Sequence, residues 1–200
     1  MIDLEKNVIG IALGDGKGQG FKAGKLSASV HAYLHTYANS RLSPSETLRK
    51  INNNMRQWCA PSNYVTLIYG ILDLDSMDFH FSHAAHPYLL HYKNGTGEIS
   101  GPEKDGGPWI PWFHDVEYPD EYIKLNPGDL VIAWTDGITE VLDQHDKAFG
   151  SKGVQLAVKK YIDESVDALA EQIYQSAAGF LGASLLQDDA TVIVLRRRAT

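Results

Sequence analysis

The chain has 200 residues, 44% of them hydrophobic and 22% charged, which fits an ordinary globular domain with a sizeable core and no need of disulfides. A net charge of −7 excludes a general nucleic-acid binder, and no apolar run reaches the roughly 20 residues of a membrane span. The single cysteine, Cys59, excludes a disulfide framework or a multi-cysteine zinc site. No export signal is visible at Met1 to Val8, so a cytoplasmic location is expected.

In chain order, Val8 to Leu13 is a short apolar, β-branched run that reads as a buried strand, followed by the glycine-rich Gly14 to Gly20. Leu26, Val30, Tyr33, Leu34 and Tyr37 recur at helical steps, predicting a helix over Lys25 to Tyr37. Ser43, Pro44 and Glu46 form a capping-box start for a second helix to about Trp58. Tyr64 to Leu74 and Phe79 to Ala84, separated by Asp75 to Asp78, predict a hairpin, and Tyr88 to Tyr92 predicts a further strand. Gly101 to Asp120, rich in Pro, Gly and Trp, reads as irregular loop. Leu130 to Trp134 is strand-like, Lys152 to Tyr161 and Val166 to Leu181 are helical, and Thr191 to Leu195 closes as a strand. Consecutive strands on short connections with helices in blocks predict an α+β fold on mainly antiparallel sheet, in a single domain over residues 1–200.

Three acidic positions share a context. Asp15 follows the first strand in Gly14-Asp15-Gly16, Asp136 follows another in Thr135-Asp136-Gly137, and Asp188 with Asp189 precedes the last. If the last strand runs antiparallel to the other two, all three positions reach one sheet rim. Neighbouring glycines let the backbone turn sharply and leave a carbonyl open to a ligand. Gathered carboxylates repel, and a hard cation such as Mg²⁺ or Mn²⁺ relieves that repulsion with oxygen ligands. Each Asp-Gly pair taken singly is also an ordinary turn signal.

Other motifs carry less. Gly18 to Ala23 fits a loose GxGxxA pattern but lacks a βαβ context, and Gly24-Lys25 lacks the rest of a P-loop. His83 and His86 could bind metal, but a structural or substrate-positioning role is the expectation, and His31 and His35 are expected to lie on a helix surface. Cys59 has no activating partner in sequence. Trp109, Trp112 and Phe113 could form an exposed binding surface, but packing of the loop onto the sheet is the expectation; Arg196 to Arg198 are expected to end a strand in solvent.

Four ordered motifs then carry a resemblance over nearly the whole chain. Gly14 to Gly20 (GDGKGQG) is similar to GDVSGHG. Tyr64 to Leu74 with His83 to Pro87 (HAAHP) is similar to FVTLFYGVLDL and NAGHPP. Leu125 to Glu140 (LNPGDLVIAWTDGITE) is similar to LxPGDLLLLYTDGVTE, and Gln187 to Arg197 (QDDATVIVLRR) to DDxTLLVLRR. The chain resembles the SpoIIE/RsbU-type bacterial serine/threonine phosphatases, a branch of the metal-dependent protein phosphatase 2C class.

The resemblance implies a β-sandwich of two antiparallel sheets flanked by helices, in αββα layers, with a two-metal Mn²⁺ or Mg²⁺ site at one edge. Asp15 would bridge both metals, the Gly16 carbonyl would complete one, and Asp136 and Asp188 would hold the other. Asp189, Lys17 and His86 are further candidates; Lys17 could draw a phosphate to the rim, and of the two histidines only His86 maps onto the family's motif. The implied reaction is hydrolysis of phosphoserine or phosphothreonine on an anti-anti-sigma or similar STAS-domain regulator in a partner-switching pathway, with an upstream sensor or regulatory domain. The oligomeric state is left open. The family's first strand, with its further aspartate, is expected to be missing here, weakening one metal site; Asp3 does not match that position. Gln19 stands in place of a histidine, and Gly16-Lys17 in place of Val-Ser. Two other functions compete: a degenerate relative that binds its phosphoprotein partner without turnover, and a hydrolase of small phosphate esters.

Overall fold

The computed structural model describes residues 1–17, 21–39, 41–60, 62–182, 186 and 188–198. It is an α+β fold with two sheets whose strand pairings are all antiparallel. The chain divides into two compact units. Unit one comprises residues 1–87 with 102–125, and unit two comprises residues 88–101 with 126–200.

Unit one contains β1 (Ile2–Glu5), β2 (Val8–Gly16), α1 (Phe21–Tyr37), α2 (Pro44–Met55), β3 (Val65–Asp73), β4 (Asp78–Ala84) and, after the long loop, β7 (Asp120–Lys124). Its sheet runs β1-β2-β3-β4-β7. The helical stripe expected on α1 is the face it buries: Leu26, Val30 and Leu34 join Leu48, Ile51 and Met55 of α2 and Val65, Leu67 and Tyr69 of β3. Each such aliphatic side chain contributes about 1.5–3 kcal/mol by leaving water. The capping box at α2 is present in full, the Ser43 hydroxyl accepting from the Glu46 N–H and the Glu46 carboxylate from the Ser43 N–H. The helix ends at Met55, three residues before the expected limit.

A four-residue strand, β1, pairs with β2 where the sequence pattern suggested none. It alternates half-buried Ile2 and Leu4 with exposed Asp3 and Glu5, as suits a sheet edge, and is too short to show as an apolar run. Asp3 pairs with Ile9, roughly 20 Å along β2 from Asp15 at about 3.3 Å per residue, so it does not serve the Asp15 end of the strand.

Unit two contains β5 (Leu89–Lys93), β6 (Glu98–Ser100), β8 (Leu130–Trp134), α3 (Asp136–Thr139), α4 (Gly150–Lys160), α5 (Val166–Leu181) and β9 (Val192–Arg196), with sheet order β6-β5-β8-β9. Leu130, Ile132 and Trp134 of β8 pack with Val154 and Val158 of α4 and Leu169, Ile173 and Ala177 of α5. The Pro127-Gly128-Asp129 segment closes the turn before β8 and is structural. Asp129 is buried, and its carboxylate accepts from the backbone N–H groups of Asn94 (2.8 Å) and Asn126 (2.9 Å) and meets His91 Nε2 at 3.1 Å. Burial alone would raise its pKa; these hydrogen bonds and the His91 contact outweigh it and hold the carboxyl below its ordinary value. Gly128 sits at φ +85°, a left-handed conformation that suits glycine.

Candidate active site

Asp15 and Gly16 are the last two residues of β2, still inside the ladder, with Asp15 opposite Thr66 and Gly16 opposite Val65 of β3. The sequence pattern placed them in the loop after the strand; pairing with β3 extends the strand through them. Lys17 is exposed, and its backbone N–H donates to the Tyr64 carbonyl at 2.8 Å. Gly14 answers a packing demand, since a Cβ there would lie 2.5 Å from the Thr66 carbonyl oxygen. The remaining glycines of this loop, Gly18 and Gly20, and Gln19 between them lie outside the described residues.

His86 is fully buried, and its Nδ1 is 3.0 Å from the hydroxyl of Thr66, the residue opposite Asp15. That link connects the HAAHP segment to the Asp15 strand end, and nothing in the local sequence around His86 announces it. His83 is also buried, on β4, where its ring fills the space a Cβ on Gly106 would need. Burial lowers the pKa of His83, and the facing Glu121 carboxylate, 3.9 Å away, pulls it partly back. It packs against the 102–118 loop, where its carbonyl accepts from the Gly107 N–H at 3.0 Å. His31 and His35 are exposed on α1 with their rings 4.5 Å apart.

In unit two, β8 and β9 run antiparallel with Trp134 opposite Val192, so the end of one and the start of the other share an edge. Asp136 opens α3 immediately after β8, where the sequence pattern suggested only a turn. Thr135 ties this edge together. Its N–H donates to the Thr191 carbonyl (3.1 Å), and its hydroxyl accepts from the Thr191 N–H (2.9 Å) and donates to the Asp189 carbonyl at 3.4 Å. Gly137 then lies so close to the last motif that a Cβ would be 2.3 Å from the Asp189 carbonyl oxygen. The Thr-Asp-Gly and Asp-Asp-x-Thr motifs are thus two halves of one contact. Asp188 and Asp189 are exposed, with the Asp188 carboxylate accepting from the Asp189 N–H at 2.8 Å; Gln187 lies outside the described residues. Tyr88 registers the local charge: burial raises its pKa, and the carboxylates of Glu140 and Asp136 add to that rise.

The Asp15 carboxylate and Gly16 carbonyl of unit one, and the Asp136, Asp188 and Asp189 carboxylates of unit two, are all hard oxygens, which in chemistry fit Mg²⁺ or Mn²⁺ rather than a soft metal. Among the described residues, no group of three or more His, Cys, Asp or Glu side chains is set to hold a metal ion. Cys59 is half-buried, and burial raises its thiol pKa, so it is no activated nucleophile.

The family model of stage II sporulation protein E (SpoIIE) matches residues 5–198. Phosphoserine phosphatase RsbU of Bacillus subtilis (strain 168) is 24% identical over 194 residues, covering 97% of this chain and 57% of RsbU. Among solved structures, the SiaA-PP2C domain of Pseudomonas aeruginosa aligns with a TM-score of 0.82 at 20% identity, over 96% of this chain and 77% of that one. The PP2C phosphatase domain of SpoIIE from Bacillus subtilis, with a fragment of its regulatory domain, gives 0.81 at 20% identity, over 100% and 56%. These structural likenesses show that the fold is that of PP2C phosphatase domains. With four motifs in order, two of them locked together at the β8–β9 edge, and a family match over nearly its whole length, the chain belongs to the SpoIIE family.

Proposed function

We propose that this chain is a single metal-dependent phosphatase domain that hydrolyses phosphoserine or phosphothreonine on a regulatory protein of the anti-anti-sigma, STAS-domain type, in bacterial partner-switching signalling in the cytoplasm. The observation that carries the reading is the contact of Gly137 with the Asp189 backbone, which holds the Asp136 motif against the Asp188-Asp189 motif. The RsbU relative is by name a phosphoserine phosphatase, and RsbX, a neighbour at 18% identity, was solved in complex with magnesium.

In this reading Asp15, the Gly16 carbonyl, Asp136 and Asp188 hold two Mn²⁺ or Mg²⁺ ions, with Asp189 as a further donor. Bound there, the ions supply charge neutralisation for the phosphoryl group and an acidified attacking water. The chain's own part is positioning. The β2–β3 ladder fixes Asp15, His86 supports Thr66 opposite it, and the Thr135 hydroxyl fixes the Asp136 turn. Lys17 offers a positive charge to the incoming phosphate. No covalent phospho-enzyme is required, in keeping with an unactivated Cys59. An upstream sensor or regulatory domain would govern the activity.

A second reading, a domain that binds its phosphoprotein partner without turnover, is favoured by the lack of a preformed three-ligand cluster among the described residues. Hydrolysis of an aryl phosphate and a phosphoserine peptide with Mn²⁺, with Mg²⁺ and with EDTA separates the two. Metal-dependent release of phosphate is expected; a folded protein that releases none with either cation is a binding domain.

A further inference from the structure

We propose that the surface formed by the end of α2 and the aromatic loop 109–113 docks an acidic segment of the phosphoprotein, beside the phosphorylated residue. This rests on the phosphatase reading above and adds the site's specificity element.

The charge distribution is the first ground. Residues 16–72 hold seven Lys and Arg against one acidic residue, Glu46, in a chain whose net charge is −7. The positive charge is therefore concentrated on α1, α2 and their connections; Arg49 is drawn to Asp115 at 3.9 Å, which leaves Arg56 and Lys25 as the cations beside the aromatic side chains. Arg56, Cys59, Trp109, Pro111, Trp112 and Phe113 line an open cavity of about 290 Å³. Trp112 is 36% exposed and Phe113 72%, so the loop does not simply pack onto the sheet as the sequence suggested. Lys25 Nζ lies 4.8 Å above the Trp58 ring, and its charge also reaches Cys59, opposing the rise that burial imposes on that thiol. Large exposed aromatics beside fixed cations are the composition of a recognition surface rather than of a solvated face.

Rigidity is the second ground. Asn52, fully buried on α2, accepts from the Trp112 N–H at 2.6 Å and donates to the Phe113 carbonyl at 3.0 Å. The loop is therefore held in place before any partner arrives, which limits the ordering cost of binding.

Continuity with the Asp15 strand end is the third. Trp109 packs on Tyr64 with the ring centroids 4.9 Å apart and the planes tilted by 31°, Ile110 bridges to Val65, and the Tyr64 carbonyl accepts from the Lys17 N–H. A peptide lying in the cavity is thus a few residues from Gly16 and Lys17. An acidic segment suits the cations, and its apolar side chains suit Trp112 and Phe113.

The test compares three substrates with Mn²⁺: a phosphoserine peptide flanked by Asp and Glu, the same peptide flanked by Lys, and a small aryl phosphate. The variants are Arg56→Glu and Phe113→Ala, both at exposed positions. The wild type should favour the acidic peptide by about tenfold in kcat/KM, carried by KM, the scale of one interface anchor or one reversed charge. Arg56→Glu should erase that preference and improve the basic peptide, while aryl phosphate turnover stays within about twofold. Phe113→Ala should weaken both peptides alike. Equal kcat/KM for the two peptides, or a parallel loss on aryl phosphate, overturns the proposal. Calorimetric binding of both peptides is measured alongside. If no ester is hydrolysed, the phosphatase reading fails, and docking is still decided: acidic-peptide binding lost in Arg56→Glu supports it, and equal binding of both peptides overturns it. Sedimentation is the last arm, since a dimer broken by Phe113→Ala would assign the surface to a second copy of this chain and overturn the proposal.

Discussion

The two Asp-Gly motifs that look alike in sequence are built differently. Gly14-Asp15-Gly16 lies within a nine-residue strand, whereas Thr135-Asp136-Gly137 leaves a strand and enters a one-turn helix. What they share is crowding: a Cβ on Gly14 would strike the Thr66 carbonyl, and one on Gly137 the Asp189 carbonyl. Neither glycine has a positive φ. The residue beside the aspartate is thus glycine for want of space, and the sharp turn that the sequence suggested is not what selects it. Asp15 is fixed by backbone pairing with Thr66 of β3, across a connection that holds both α1 and α2. Asp136 is fixed by a segment equally remote in sequence, but through the Thr135 hydroxyl and the close approach of Gly137 to Asp189 rather than through a ladder of its own.

That comparison can be broken first at the carboxylates. Asp15→Asn and Asp136→Asn are each expected to lower metal-dependent phosphate release by about a thousandfold, with the thermal midpoint little changed. If one variant keeps wild-type turnover, that aspartate is not a ligand and the assignment of the site fails. Crowding comes next. Gly137→Ala and Gly14→Ala should each cost about 2–3 kcal/mol in denaturant unfolding, because the obstructing atom is backbone in both cases. A smaller loss in one would show which segment can give way.

Asp129 sharpens the contrast from outside the site. Asp129→Ala should cost about 2 kcal/mol by stranding two N–H groups and His91. Because the folded-state pKa of Asp129 lies below its unfolded value, its contribution is present above the unfolded pKa of about 3.9 and is lost as pH falls through the folded one. Wild-type stability, followed by unfolding from pH 6 to 2, should therefore decline more steeply below pH ~4 than that of Asp129→Asn. The smallest effect is a gain. Gly24 closes the first turn of α1 with nothing within 4 Å of a new methyl, and Gly24→Ala should stabilise by up to about 0.5–1 kcal/mol.

Much of this architecture was legible because apolar periodicity marks whatever packs on a core. The strands at Val65 and Leu130 and the helix at Val166 came within a residue or two of their observed limits. The elements that escaped, β1, β6, β7 and α3, have three to five residues each, and the three strands among them are held by backbone pairing rather than announced by an apolar run. Asp15 and Asp136 stood out through their glycines, and Asp188 and Asp189 through their place just before the last strand. The role of Thr135, the burial of His86 beneath Thr66 and the latch at Asp129 did not, because each depends on a partner at least 20 residues away. The arginines at the end of β9 were expected to end in solvent, yet Arg196 donates to the carbonyls of Ile162 and Glu164 at 2.6 and 2.7 Å.

That clamp has a temporal meaning. Unit one is complete once residue 125 has been synthesised, whereas the unit-two sheet lacks one side of β8 until β9 and Arg196 emerge. At about 5–20 residues per second, translation leaves Asp15 in a finished ladder for roughly 4–14 s before Asp136 gains the strand that holds it. A nascent chain therefore carries one half of its proposed chemistry folded and the other unformed, and proposed catalytic competence arrives only with the final strand.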